Sequence, residues 1–277
     1  MVDRGLADPR RADLGSPRLD RCISSYLEQC RAKDPPARPQ QALPSSTVRW
    51  LAEAYRQSPI KHLRIIADLV VLAFFFLLRV GEYTPSSSVR QTVPLRRKDV
   101  KLWNGMHLIP HTADLDTLLG ADAVTISLEN QKNGHKNAVL HHTSSGDCFF
   151  DPVKSAARLV HEIAPKPPDT ALGTFVDEDG CTRQVLPSAI RAAVRVAAVG
   201  DHLEGAGYDL TRIGSHSLRS GGAMHLKLSG YDNDIIQKLG RWSSDTYLRY
   251  IQAQIGQLTA GIATNMARVL RFHNVGA

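Results

Sequence analysis

The residues best suited to chemistry lie between positions 214 and 251, where His216-Ser-Leu-Arg219 is followed by Leu239-Gly240-Arg241-Trp242 and then by Tyr247 and Tyr250. Their types fit one reaction, attack on a phosphodiester. The anionic ester repels nucleophiles, so an enzyme that opens it without a metal needs fixed cations, a proton shuttle and an activated side-chain nucleophile. Arg219 has the planar fork that grips two non-bridging phosphate oxygens at once. His216, three residues earlier, falls on the same face if the pair opens a helix, and brings an imidazole near the same phosphate. Trp242 offers one indole N–H. Tyr250 is the candidate nucleophile; a phenol with a pKa near ~10 stays protonated at neutral pH and needs neighbouring cations and a base.

His216-Ser-Leu-Arg219, Leu239-Gly240-Arg241-Trp242 and Tyr250 resemble the second half of the tyrosine recombinase (integrase) active site. The wording Gly-Arg-Trp-Ser-Ser-Asp-x-x-Leu-Arg-Tyr-Ile is most similar to the branch carried by eukaryotic DIRS-type retroelements. The resemblance implies two further parts upstream: an arginine with an acidic residue three places on, and a lysine on a β-hairpin. Arg79-Val-Gly-Glu82 matches the first, at the end of an apolar run where an emerging arginine needs a partner. The same pair also reads as an ordinary helix-end salt bridge. Lys132 and Lys136, in the turn Gln131-Lys-Asn-Gly-His-Lys-Asn137, match the second. Lys132 directly follows the strand and is preferred, with Lys136, further round the loop, as the alternative. His216 to Trp242 spans 26 residues, a separation that fits the family, whereas Trp242 to Tyr250 spans eight, one fewer than is usual there. Tyr247 comes too early for the family's nucleophile and is the alternative to Tyr250.

What the resemblance implies is a mainly α chain with a small antiparallel β-sheet, the tyrosine recombinase catalytic-domain fold. The implied activity is site-specific DNA recombination or integration for a mobile element. Tyr250 attacks a DNA phosphate, forming a 3′-phosphotyrosyl link and releasing a 5′-hydroxyl. Arg79 and Arg219 stabilise the phosphorane, Glu82 supports Arg79, His216 helps to move a proton, Trp242 binds an oxygen and Lys132 protonates the leaving oxygen. The ester's energy is kept in the covalent link, so no cofactor, ATP or metal is implied. Double-stranded DNA is the implied partner, with four chains assembling on two duplexes.

Periodicity shows which elements must position these groups. Residues 1–18 are charged and carry Pro9 and Pro17, which predicts disorder. Leu19, Ile23, Tyr26, Leu27 and Cys30 form one stripe, so residues 19–32 read as an amphipathic helix. The Pro-rich stretch 33–46 cannot continue it and places a domain boundary near Pro44. By the resemblance, 19–46 is a remnant helix of an N-terminal core-binding domain plus its linker, and 47–277 is the catalytic domain. Ser45 or Ser46 is expected to cap a helix through Tyr55, and a second helix is expected from about Ile60 to Gly81. Its run 65–80 is apolar almost all round, but these sixteen residues include Asp68 and fall short of the ~20 that span a bilayer, which makes it a buried core helix.

Asn104-Gly105 marks a hairpin between 99–103 and 106–109, and Asn133-Gly134 another between 123–131 and 138–142. Asp151-Pro152 starts a helix to Ile163, Asp177-Glu-Asp-Gly180 is a turn, and Leu186-Pro-Ser188 starts a helix to about Val199. Further helices are predicted over 217–228, stopped by Gly230, and over 232–239, 244–253 and 255–271.

A net charge of +7 suits a polyanionic partner, though it fits many other basic proteins too. Cys22, Cys30, Cys148 and Cys181 lack paired ligand spacing, which points to reduced thiols in an intracellular protein. The first fifteen residues lack the apolar core of a secretion signal. Nuclear residence follows if the host is eukaryotic. The rival function is a DNA-binding protein without catalysis, derived from a truncated recombinase, because residues 226–251 also read as helix, glycine turn, helix.

Overall fold

Residues 65–74 are all buried, and the helix that contains them is the axis on which the other helices pack. The computed structural model describes residues 20–26, 40–85, 92–130 and 136–242. Contacts divide the chain into two units, Met1–Pro39 and Gln40–Ala277. In the first, residues 21–26 are helical, with the Cys22 N–H donating to the Asp20 carboxylate at 2.8 Å. The rest of the helix expected over 19–32 lies outside the described residues.

In the second unit, α1 (Ser45–Arg56) leads to α2 (Lys61–Phe75). The serines expected to cap α1 do not do so. Pro44 is the N-cap, and the hydroxyls of Ser46 and Thr47 donate instead to Asp201, more than 150 residues away. The second expected helix is also shorter than the sequence suggested, ending at Phe75 rather than Gly81. Asp68, 3% exposed in the middle of this apolar helix, accepts from Arg56 at 3.1 Å and from Arg158 at 2.7 Å. An unpaired buried carboxylate costs several kcal/mol, and the two guanidiniums offset that cost while tying α1 and a later helix to α2.

β1 (Val100–Asn104), β2 (His107–Ile109), β3 (Ala123–Asn130) and β4 (Lys136–Thr143) form an antiparallel sheet in the order β2-β1-β3-β4. Gly105, with φ 57°, makes the expected first turn. Lys136 was expected in the second turn, but its backbone pairs with Asn130, so β4 starts two residues sooner than the sequence indicated. Val100, Leu102, Ile109, Val124, Ile126, Leu128 and Leu140 turn into the core. The sheet packs on α4 (Pro152–Glu162), which follows a five-residue helix, α3 (Leu115–Leu119), that the sequence did not announce. Asp151 caps α4 as expected, accepting from the N–H groups of Val153 at 2.7 Å and Lys154 at 3.0 Å.

The predicted 177–180 turn joins two short strands, β5 (Thr174–Val176) and β6 (Thr182–Gln184). Then come α5 (Pro187–Gly200), α6 (Ser215–Leu228) and α7 (Asn233–Gly240), with Gly230 in the left-handed region at φ 84° between the last two. α1, α4, α5 and α6 all pack against α2. Among the described residues no helix is long and apolar enough to cross a membrane. Cys22, Cys148 and Cys181 are free thiols at the surface.

Two histidines brace this arrangement by donating from Nε2 to backbone carbonyls, His111 to Val100 at 2.8 Å and His142 to Phe75 at 2.9 Å. Burial holds both imidazoles below the ordinary histidine range. The accepting carbonyl opposes the shift, while Arg97 beside His111 and His141 beside His142 add to it. Because the unfolded chain then binds these protons first, their contribution to stability is complete above about pH 6.5 and is lost as the pH falls through the folded-state values. Urea midpoints measured from pH 8 to 5 should therefore fall more steeply for the native chain than for a His111→Gln/His142→Gln double variant.

Candidate active site

The site begins where α2 stops. Leu77 enters the left-handed region at φ 48°, and the Leu78 N–H closes back onto the Ala73 carbonyl at 2.9 Å. This is the helix-ending motif in which glycine usually occupies the left-handed position. A leucine there costs roughly 1–2 kcal/mol. Burying its side chain, worth about 1.5–3 kcal/mol, outweighs that cost, because Leu77 is fully buried with Ala42, Ala223, Met224 and Ile236.

The reversal aims the carbonyls of Phe76 and Leu77 out of the helix, and cations take them. Arg241 donates from Nη1 to Phe76 at 3.1 Å and from Nη2 to Leu77 at 3.1 Å. Arg219 donates from Nη1 to the same Leu77 oxygen and from Nη2 to the Gly240 carbonyl. Beyond the reversal, Arg79 is extended and precedes a 3-10 turn, Val80–Glu82. Glu82, 1% exposed, folds back so that Oε1 accepts from Arg79 Nη1 at 3.0 Å and Oε2 accepts from the Arg79 backbone N–H at 2.8 Å. Oε2 also accepts from Arg241 Nη2 at 2.8 Å. Burial draws the Arg241 guanidinium below its usual range and Arg79 adds to the shift, while Glu82 opposes it. Arg79 and Arg241 thus share one carboxylate, while Arg219 is held by backbone carbonyls beside them, which leaves a local excess of positive charge.

α6 delivers Arg219 through two glycines. A Cβ at Gly221 would collide with the Leu43 carbonyl and one at Gly222 with the Phe74 carbonyl, so only glycines let this helix lie against both. His216 is the second residue of α6, one turn ahead of Arg219, and its backbone N–H donates to the Gln40 side chain at 3.1 Å. The Trp242 ring covers Arg219, with 4.2 Å from the guanidinium carbon to the ring centroid, a cation–π contact. Gly240 has no room for a Cβ because the same ring occupies that space. Arg219 is consequently only 1% exposed, whereas the Arg79 side chain is 21% exposed.

No protein-family model matches the sequence, and no curated protein does. Solved structures do. The XerH site-specific recombinase, in a post-cleavage complex with palindromic difH substrate, superposes with a TM-score of 0.52 at 16% identity over 83% of this chain. The XerA recombinase gives a TM-score of 0.49 at 17% identity, over 85% of this chain and 67% of that one. The fold is that of a tyrosine recombinase catalytic domain. The chain spans about half the length of XerH, 54%.

Within this recombinase fold, Arg79, Glu82, Arg219 and Trp242, singled out from sequence, belong to one bonded cluster around the end of α2. His216 is on the helix that carries Arg219. Lys132, Tyr250 and the alternative Tyr247 lie outside the described residues, and of Lys136 only the backbone is described. Arg79 was expected to emerge from the long helix; it follows the break instead, because the left-handed Leu77 ends α2 earlier. Sequence reasoning missed Arg241, which joins Glu82 to the helix end. Its place between Gly240 and Trp242 was visible, but nothing in the spacing shows that it meets a carboxylate 159 residues upstream.

Glu82→Gln should lower stability by about 3–5 kcal/mol, because it leaves Arg241 buried without its counter-charge, and guanidinium chloride unfolding measures this. Gly222→Ala should cost about 1–3 kcal/mol by overpacking against α2, while Gly205→Ala, where a Cβ meets nothing within 4 Å, should leave the midpoint close to that of the native chain.

Proposed function

We propose that the chain is a site-specific DNA recombinase or integrase that cleaves and rejoins DNA through a 3′-phosphotyrosyl intermediate. The observation that carries the reading is the single cluster made by Arg79, Arg219 and Arg241 around Glu82 and the Leu77 carbonyl. Cations held rigidly in a dry setting stabilise charge that develops on a phosphorane without having to reorganise at the moment of reaction. Arg79, the most exposed of the three, meets the phosphate first.

In this reading the Tyr250 oxygen attacks phosphorus, the bond to the 5′ oxygen breaks, and the phosphate stays on the enzyme through the tyrosine. His216 helps to move the phenolic proton and Lys132 protonates the departing 5′ oxygen. Rejoining is the reverse, so the ester's energy is conserved and no cofactor is consumed. Glu82 holds Arg79 in register. Trp242 keeps Arg219 stacked and donates its indole N–H to a phosphate oxygen once DNA is bound. Double-stranded DNA is the partner in this reading, and the similar XerH recombinase is bound to its palindromic difH substrate. Four chains on two duplexes, a mobile-element origin in the DIRS-type branch, a core-binding-domain helix and linker before the catalytic domain, and nuclear residence in a eukaryotic host complete the proposal.

A second reading, a DNA-binding protein that no longer cuts, is favoured by one observation. Both terminal nitrogens of Arg219 donate to backbone carbonyls and Trp242 covers its face. Nicked suicide DNA substrates separate the two. The recombinase forms a denaturant-resistant protein–DNA adduct that disappears in Tyr250→Phe, and Arg79→Ala slows its formation by roughly 10²–10³. DNA binding without any adduct from the native chain supports the second reading.

A further inference from the structure

Three successive carbonyls at the end of α2 accept from side chains that lie far along the chain. Phe76 accepts from Arg241, and Leu77 accepts from Arg219 and Arg241. The first in the row, Phe75, lies 2.9 Å from His142 Nε2. A carbonyl can only accept, so Nε2 carries the proton and donates it. The His142 ring also stands edge-on to Phe75, at 6.0 Å and 77°, and to Phe76, at 4.7 Å and 75°. It therefore grips the residue whose carbonyl binds Arg241 as well as the one before it. Burial keeps this imidazole below the ordinary histidine range, so near neutral pH it is an uncharged donor.

His142 sits near the end of β4, paired with Val124 of β3, and in sequence Lys132 falls between these two strands. We propose that His142 is a positioning residue which, by fixing the Phe75 carbonyl, sets the direction of the next two carbonyls and hence of Arg241 and Arg219. It also joins the β3–β4 hairpin to the cation cluster. For its effect on rate the proposal rests on the recombinase reading above; for its effect on the arginines it does not. A histidine that merely fills space in the core would act through ring packing, and that alternative predicts the opposite ranking of two variants.

His142→Phe keeps an aromatic ring and removes the donor, whereas His142→Gln keeps an N–H at similar reach and removes the ring. Two measurements are made on the full chain: hydrogen exchange of the Arg219 and Arg241 side-chain N–H groups by NMR, and the single-turnover rate of adduct formation on a nicked DNA duplex. His142→Phe should speed exchange at both arginines about tenfold and slow adduct formation about 10- to 100-fold, the scale of loss expected from a misplaced catalytic group, with DNA affinity within about threefold of native. His142→Gln should restore both to within about threefold. Exchange in His142→Phe equal to that of the native chain overturns the proposal, as does a Gln variant more impaired than the Phe variant. If the native chain forms no adduct, the recombinase reading fails, and the exchange measurement alone decides the role of His142.

Discussion

The Leu77 carbonyl, shared by two buried guanidiniums, is the contact on which the rest of the site depends. A helix end concentrates partial negative charge on its last carbonyls, equivalent to about half an elementary charge. Burying a guanidinium costs several kcal/mol unless partners replace its water. Each deficit meets the other here: the end of α2 supplies acceptors, Arg219 and Arg241 supply donors, and Glu82 supplies the full negative charge that the backbone cannot. The arrangement requires the end of α2 to be dry, which explains a helix buried along ten consecutive residues. The lone acid within that helix follows the same logic, since Asp68 is enclosed by Arg56 and Arg158.

Strain is concentrated at the same place. Among the described residues three non-glycine residues have positive φ, and two of them, Leu77 and Arg241, form the site. Both follow helices, α2 and α7, and both turn the chain so that carbonyls or a guanidinium face inward. Such conformations persist only where surrounding packing over-determines them. Leu77 is held by a small apolar cluster that includes Ala223 and Met224 of α6, and Arg241 by its bonds to Glu82 and to the end of α2. The result is a group of cations whose geometry is set before any ligand arrives, which is the property that electrostatic stabilisation of a phosphorane requires.

Much of this was legible from the order of residues. Turn chemistry placed the Asn104-Gly105 hairpin, the Asp151-Pro152 helix start and the Gly230 stop where the structure has them. The helix expected from Leu186-Pro-Ser188 to about Val199 is present as α5, and its Ile190, Ala193, Val194 and Ala197, three and four apart, are buried. Arg79 and Glu82 were paired on their spacing together with the resemblance, and they are bonded. Contacts made across long stretches of chain account for the misses. Ser46 does not cap its helix because Asp201 takes its hydroxyl, and Arg241 drew no notice because its partners are a distant carboxylate and bare backbone.

By itself the sequence determined the kinds of element, most of their boundaries and the local pairs, because hydrophobic period, caps and turn residues act over a few positions. Only the tertiary structure decided where α2 ends and which cations gather there. Nothing local favours a left-handed leucine; it is adopted because burial among residues 42, 223, 224 and 236 outweighs its backbone cost. Backbone carbonyls carry no side-chain signature, so the groups that hold Arg219 and Arg241 in place come into view only when the helices are packed.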